Sequence, residues 1–181
     1  MKRFLHLLPL LALLIAPFPA GPARSAPPSE TQIKAAYLVN FAKLFEWPSG
    51  ALGSGSDPFL VCLISQRDGI ALPLNSMAGK NIQGHALLVK QNARLSELRD
   101  CRMVVLEAGD ENRLPAVLEA LADAPALTVG DFDEFSRRGG MIELAFQDNR
   151  IVFDINRDAT NRARLSPSAQ LLKLARIVRQ K

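Results

Sequence analysis

The chain reads as an α/β protein, a three-layer sandwich with a largely parallel central sheet, flanking helices and an antiparallel hairpin at the sheet's edge. Three observations predict it. Apolar runs of strand length alternate with helical patterns from Phe59 to Arg137. The runs FLVCLIS and MVVL are apolar at consecutive positions, which suits strands covered on both faces. Later, two apolar strands follow one another across a polar turn at 147–150, the pattern of a hairpin.

Taken in order, the 181 residues open with Lys2 and Arg3, an apolar run from Phe4 to Ile15, and small residues at 22–26. This is the pattern of a secretory signal peptide over residues 1–26, leaving 27–181 as one domain. Prolines 17 and 19 end the apolar run too early for a helix to span a hydrocarbon core of about 30 Å, so no membrane insertion is expected after signal cleavage. Ser29 and Gln32 form a capping box that opens the first helix. Ile33, Ala36, Tyr37, Phe41, Leu44 and Phe45 give it an apolar stripe, interrupted by Asn40. A buried amide there must find partners, so Asn40 is read as a structural polar residue. Pro48 ends the helix near Trp47, and the glycine-rich stretch 49–57 is a loop.

Residues 59–65 form the first strand, and 69–77 hold a short helix with Pro73 near its start. Strands follow at 85–90 and 103–106, then a helix at 114–121 with Pro115 in its first turn. After a strand at 126–129, Asp131 with Glu134 is expected to cap a short helix through Arg137. Gly139 and Gly140 introduce the hairpin strands 141–146 and 151–155, joined through Asp148-Asn149. Ser166-Pro167 is read as an N-cap before a first-turn proline, with Leu171, Leu174, Ala175 and Val178 as the buried stripe of a last helix.

Removing the leader takes Lys2, Arg3 and Arg24 from the 22 basic residues and leaves 19 against 18 acids. The sequence pI of 9.4 therefore gives no argument for nucleic acid or an anionic membrane as partner. Charge is segregated, with eight acids and one base in 107–134 and seven bases and one acid in 157–181. Solvated surface is the plain reading, and a docking or self-association surface the sharper one.

Cys62 and Cys101 are the only cysteines, and an even count in an exported chain predicts a disulfide. Their spacing excludes a CxxC motif, and with His85 as the single histidine beyond the leader they cannot complete a four-ligand zinc site. His85 is expected at the surface or a strand edge. No GxSxG, HExxH, P-loop or complete GxGxxG occurs, and Gly50, Gly53 and Gly55 precede a strand instead of joining one to a helix. Helix capping accounts for the crowding of Asp131, Asp133 and Glu134 without a metal. No catalytic residue, cofactor or metal is expected. Phe45 and Trp47 offer an aromatic patch at the helix end, while Asp154 and Asn156 share one strand face opposite Phe153 and Ile155.

Two stretches, IKAAYLVNFAKLFEWP at 33–48 and IVFDINRDATNRARLSPSAQLLKLARIV at 151–178, resemble the YfiR-like family of bacterial periplasmic proteins. Asn-Phe-Ala-Lys before Glu-Trp-Pro, the Ile-Asn strand end and the closing Leu-Leu-Lys-Leu-Ala-Arg carry the similarity. It implies a compact, dimeric α/β sandwich in the periplasm without catalysis. The best-understood family role is a repressor that binds the sensory region of an inner-membrane diguanylate cyclase and holds down cyclic-di-GMP synthesis. The positions of Cys62 and Cys101 match a disulfide pair of the family, while the second pair of some members, near the late hairpin, has no cysteines here. The expected partners are thus the periplasmic region of a diguanylate cyclase or related sensor, and a second copy of the chain. The expected contact residues are Phe45, Trp47, Ser65, Arg67, Glu107, Asp131, Asp154 and Asn156. The rival is a periplasmic small-ligand-binding accessory module for another sensor or receptor, with its pocket at the carboxyl ends of the strands around Ser65, Arg67, Glu107 and Asp131.

Overall fold

The computed structural model describes residues 27–148 and 150–178. The signal-peptide expectation and the Asn149 position of the hairpin turn lie outside them. No helix among the described residues is long and apolar enough to cross a membrane.

The first helix, α1 (Glu30–Leu44), starts on the expected capping box: the Ser29 hydroxyl accepts the Gln32 amide, and the Gln32 side chain accepts the Ser29 amide at 2.8 Å. It stops at Leu44, before Trp47, because Phe45 turns extended and β1 (Phe45–Glu46) pairs antiparallel with the distant β9 (Ser166–Pro167). The chain continues through β2 (Phe59–Leu63), α2 (Ala71–Asn75), β3 (Asn81–Ile82), β4 (His85–Lys90), a 3-10 helix (Leu95–Asp100), β5 (Met103–Glu107) and α3 (Leu114–Ala120). Then come β6 (Leu127–Asp131), β7 (Ile142–Gln147), β8 (Arg150–Asn156), α4 (Arg157–Arg162), α5 (Ala169–Leu174) and β10 (Arg176–Val178).

The main sheet runs β10-β8-β7-β6-β5-β2-β4-β3, and only the β7–β8 and β3–β4 pairs are antiparallel. Both faces are covered. Met103 and Val105 of β5 join the core under α1 and α2, while Val104 and Leu106 join a second core with α3 and the 3-10 helix. Edge-on rings tie α1 to the sheet, Phe41 to Phe153 at 5.0 Å and Tyr37 to Phe153 at 6.1 Å. This is the expected three-layer, largely parallel sandwich.

Four local expectations fail for identifiable reasons. The β7–β8 hairpin forms in register but is internal, because β10 pairs parallel with β8 outside it. The last helix is short for the same reason: Ser168, not Ser166, is its N-cap, Pro167 belongs to β9, and the chain turns extended at Ala175 to join the sheet. Residues 133–139 form turns instead of a helix, with Glu134 at φ +62°. Phe135 is wedged there between Gly130 and Gly140, where any Cβ would lie 2.1 and 2.0 Å from its ring. His85 is buried on the inner face of β4, with Nδ1 2.7 Å from the Asp57 carbonyl.

Cys62 and Cys101 form a disulfide, Cα–Cα 5.9 Å, that ties β2 to the end of the 3-10 helix just before β5. Both cysteines are buried in the second core. Closing a loop across a separation of 39 residues stabilises the fold by about 4 kcal/mol on the chain-entropy account. The double variant Cys62→Ala/Cys101→Ala should lose about that much in urea unfolding, and a loss below about 1 kcal/mol would show that the bond constrains little.

Candidate functional site

Ser65, Glu107 and Asp131 all continue the inward parity of their strands, so the carboxyl end of the sheet carries a polar row beneath α1 and α2, with Glu107 and Asp131 in register. Each member is committed to the fold. Asp131 does not cap a helix; it receives Lys34 of α1, whose Nζ lies 2.6 and 2.8 Å from its two carboxylate oxygens and 2.5 Å from Glu30. Burial works to lower the Lys34 pKa, but the hydrogen bonds and charges of Asp131 and Glu30 outweigh it and hold the ammonium above the ordinary lysine value. Burial pushes the Asp131 carboxyl up, against the pull of Lys34.

Glu107, 8 % exposed, accepts the Ile70 amide at 3.1 Å through Oε1, while its Oε2 is buried with no hydrogen-bond partner. A Cβ at Gly69 would lie 2.4 Å from Glu107 Oε1, so the Glu107 carboxylate would have to shift to admit one. Arg67 donates to the Ala108 carbonyl and to Ser65 Oγ, and stands 3.9 Å from Asp110. Ser65, Arg67 and Glu107 are thus brought together, with Asp131 alongside, but they bind the loops after β2 and β5 to each other.

The remaining expected contacts lie elsewhere. Phe45 is buried in the core and presents no surface. Trp47 is half-buried, edge-on to Phe59 at 5.3 Å, with its indole N–H donating to the Ala42 carbonyl at 3.4 Å. Asp154 forms an ion pair with Arg176 of β10 at 2.6 Å, and burial raises its carboxyl above the usual range. Asn156 is 0 % exposed: its amide donates to the Ser136 carbonyl at 2.7 Å, and its oxygen caps α4 by accepting the Ala159 amide at 3.0 Å. It pins the 133–139 turns to the end of β8. Asn40, read as a structural polar residue that needs partners if buried, is instead exposed.

Asn40 stands on a feature that sequence reasoning missed. Between α1 and α5 runs a groove of about 390 Å³, floored by Tyr37, Phe41 and Phe153, with Leu174 on its far wall and Asn40 and Lys43 along α1. It exists because α5 is only six residues long and leaves part of the α1 stripe uncovered. Leu174, expected in the buried stripe of a longer helix, is 69 % exposed on its wall. The available signal was the amide at position 40, a polar break in an otherwise apolar stripe. Among the described residues, no group of three or more His, Cys, Asp or Glu is placed to hold a metal ion.

The sequence profile of the family described as YfiR/HmsC-like matches residues 31–176. No curated protein matches the chain. Among solved structures, a conserved domain protein from Vibrio cholerae O1 biovar eltor str. N16961 is 10 % identical with a TM-score of 0.53, covering 84 % of this chain and 60 % of its own. An ABC domain in complex with L-Trp from Streptococcus pneumonia is also 10 % identical, with a TM-score of 0.51 and coverage of 77 % and 61 %. This chain therefore spans about three fifths of each, and at such identity the likeness is one of fold.

The Lys34 shift sets the alkaline behaviour. A folded-state pKa above the unfolded 10.5 means that the contribution of Lys34 is fully present below pH 10.5 and is lost as pH rises through the folded value. Lys34→Met should cost about 3 kcal/mol at neutral pH, because it strands the Asp131 carboxylate, and should flatten the fall in urea midpoint above pH 10.5. Parallel alkaline limbs in the two proteins would refute this.

Proposed function

The chain belongs to the YfiR/HmsC-like family, and from that premise we propose that it is a non-enzymatic periplasmic regulator that binds the sensory region of an inner-membrane diguanylate cyclase and represses cyclic-di-GMP synthesis. The observation that carries the reading is the family match itself, which runs through 31–176 and takes in every residue of the α1–α5 groove. Residues 1–26 are its export signal, and the buried Cys62–Cys101 disulfide accords with an oxidising compartment.

The groove is the docking surface in this reading. Its aromatic floor and the exposed Leu174 suit an apolar segment of the cyclase's periplasmic region, and Asn40, Lys43 and Gln170 supply a polar rim. Two copies of the chain, as a homodimer, present two such grooves. Repression needs no chemical step. A regulator that binds the inactive cyclase better than the active one by about 1 to 3 kcal/mol shifts that equilibrium some 5- to 150-fold.

Leu174→Asp tests the surface, because a substitution at so exposed a position leaves stability within about 0.5 kcal/mol. The oxidised chain should co-purify with a diguanylate cyclase from its host's solubilised membranes and lower cellular cyclic-di-GMP. Leu174→Asp should weaken that capture at least about tenfold, equivalent to about 1.4 kcal/mol, and release synthesis. Full repression by the variant would remove the groove from the reading, and failure to capture any cyclase with the unmodified chain would remove the reading itself.

A further inference from the structure

The groove between α1 and α5 carries charge of one sign. Tyr37, Asn40 and Lys43 follow one another along its α1 wall at intervals of three residues, about 4.5 Å of helix rise each, and Gln170 lines the α5 side. Each of these four side chains is a hydrogen-bond donor: a phenol, two amides and an ammonium. Among the described residues none of the four has a hydrogen bond or an ion pair through its side chain. Lys34 and Lys90, by contrast, are both paired with carboxylates of the fold.

No Asp or Glu lines the groove. Glu46, the acid nearest Lys43 in sequence, has left the helix and pairs with Ser166 in β1. The carbonyls at the end of α1, which would give that end a negative edge, are occupied by Gln83, whose Nε2 donates to the Ala42 and Phe45 oxygens at 3.0 and 2.8 Å. The single charge on α5, Lys173, is again positive. Beneath this donor row the lining turns apolar, with Phe41, Phe153 and Leu171 buried and Leu174 exposed.

We propose that the occupant of the groove is an acidic amphipathic segment of the partner's periplasmic region, with an apolar side chain between Leu174 and the aromatic floor and a carboxylate at Lys43. Tyr37, Asn40 and Gln170 donate to its polar edge. The proposal rests on the groove being the dock for a cyclase and adds the sign of the partner's charge. An exposed cation meeting a free carboxylate acts mainly on the rate of association and its salt dependence, while the apolar anchor sets how long the complex lasts.

Binding of the oxidised chain to the solubilised cyclase, followed against NaCl concentration, separates these contributions. The chains compared are the unmodified one, Lys43→Met, Lys43→Glu and Lys80→Glu, the last changing net charge equally at an exposed lysine outside the groove's lining. At about 50 mM NaCl, Lys43→Met should bind about threefold and Lys43→Glu at least about tenfold more weakly, the differences shrinking to about twofold near 0.5 M, with Lys80→Glu within about twofold of the unmodified chain throughout. Lys43→Met keeps the comparison sound if the reversed charge weakens the last turn of α1. A photo-crosslinker in place of Gln170 should capture the partner's segment, and changing one of its carboxylates to lysine should restore binding to Lys43→Glu. Equal affinity of Lys43→Glu and the unmodified chain, an equal loss in Lys80→Glu, or a captured segment whose carboxylates give no rescue would overturn the acidic occupant and leave the cyclase reading standing. No cyclase bound by the unmodified chain would remove both.

Discussion

Lys34 fixes where α1 sits, and most of the helical face follows from that. Its ammonium is buried between Asp131 at the end of β6 and Glu30 one turn back on its own helix, so the first turn of α1 is held over the carboxyl end of the sheet. The other end is held differently, by Phe45 and Glu46 leaving the helix to pair with Ser166 and Pro167. With both ends pinned, the aromatic residues between them have a fixed height above β8, and Phe41 and Tyr37 meet Phe153 edge-on. Removing the Lys34 charge is costly because it leaves the Asp131 carboxylate, itself largely buried, without its cation.

What was legible in the sequence was local. A capping box spans four consecutive residues, the buried strands announce themselves as unbroken apolar runs, and the two cysteines have only each other. What was illegible was decided at a distance. Phe45 looks like the last turn of an amphipathic helix until its partner at Pro167 is known, and a strand of two residues has no periodicity to read. Asp131 looks like a helix cap because Glu134 follows it, whereas its partner Lys34 is 97 residues away. Leu171, Leu174 and Ala175 keep the spacing of a longer last helix, and only the pairing of β10 with β8 cuts it short. The groove inherits that error, since it is the space a longer α5 would have filled.

A short run of chain leads from β8 to the groove. After α4 the chain passes through Leu165 and β9, and α5 rises to form the groove's outer wall. Asn156 anchors this run at its start by capping α4, and the Arg176–Asp154 ion pair closes it at its end.

The pairings made by residues 166–178 also bear on when the chain can fold. One small sheet joins Phe45 to Pro167, and the large sheet is bordered by a strand that begins at Arg176. Until those residues leave the ribosome, α1 has no strand to hold its far end and β8 stands as an open edge. The pairing of Phe45 with Pro167 is thus a non-local contact, whose loop-closure cost must be met before the contact can repay it.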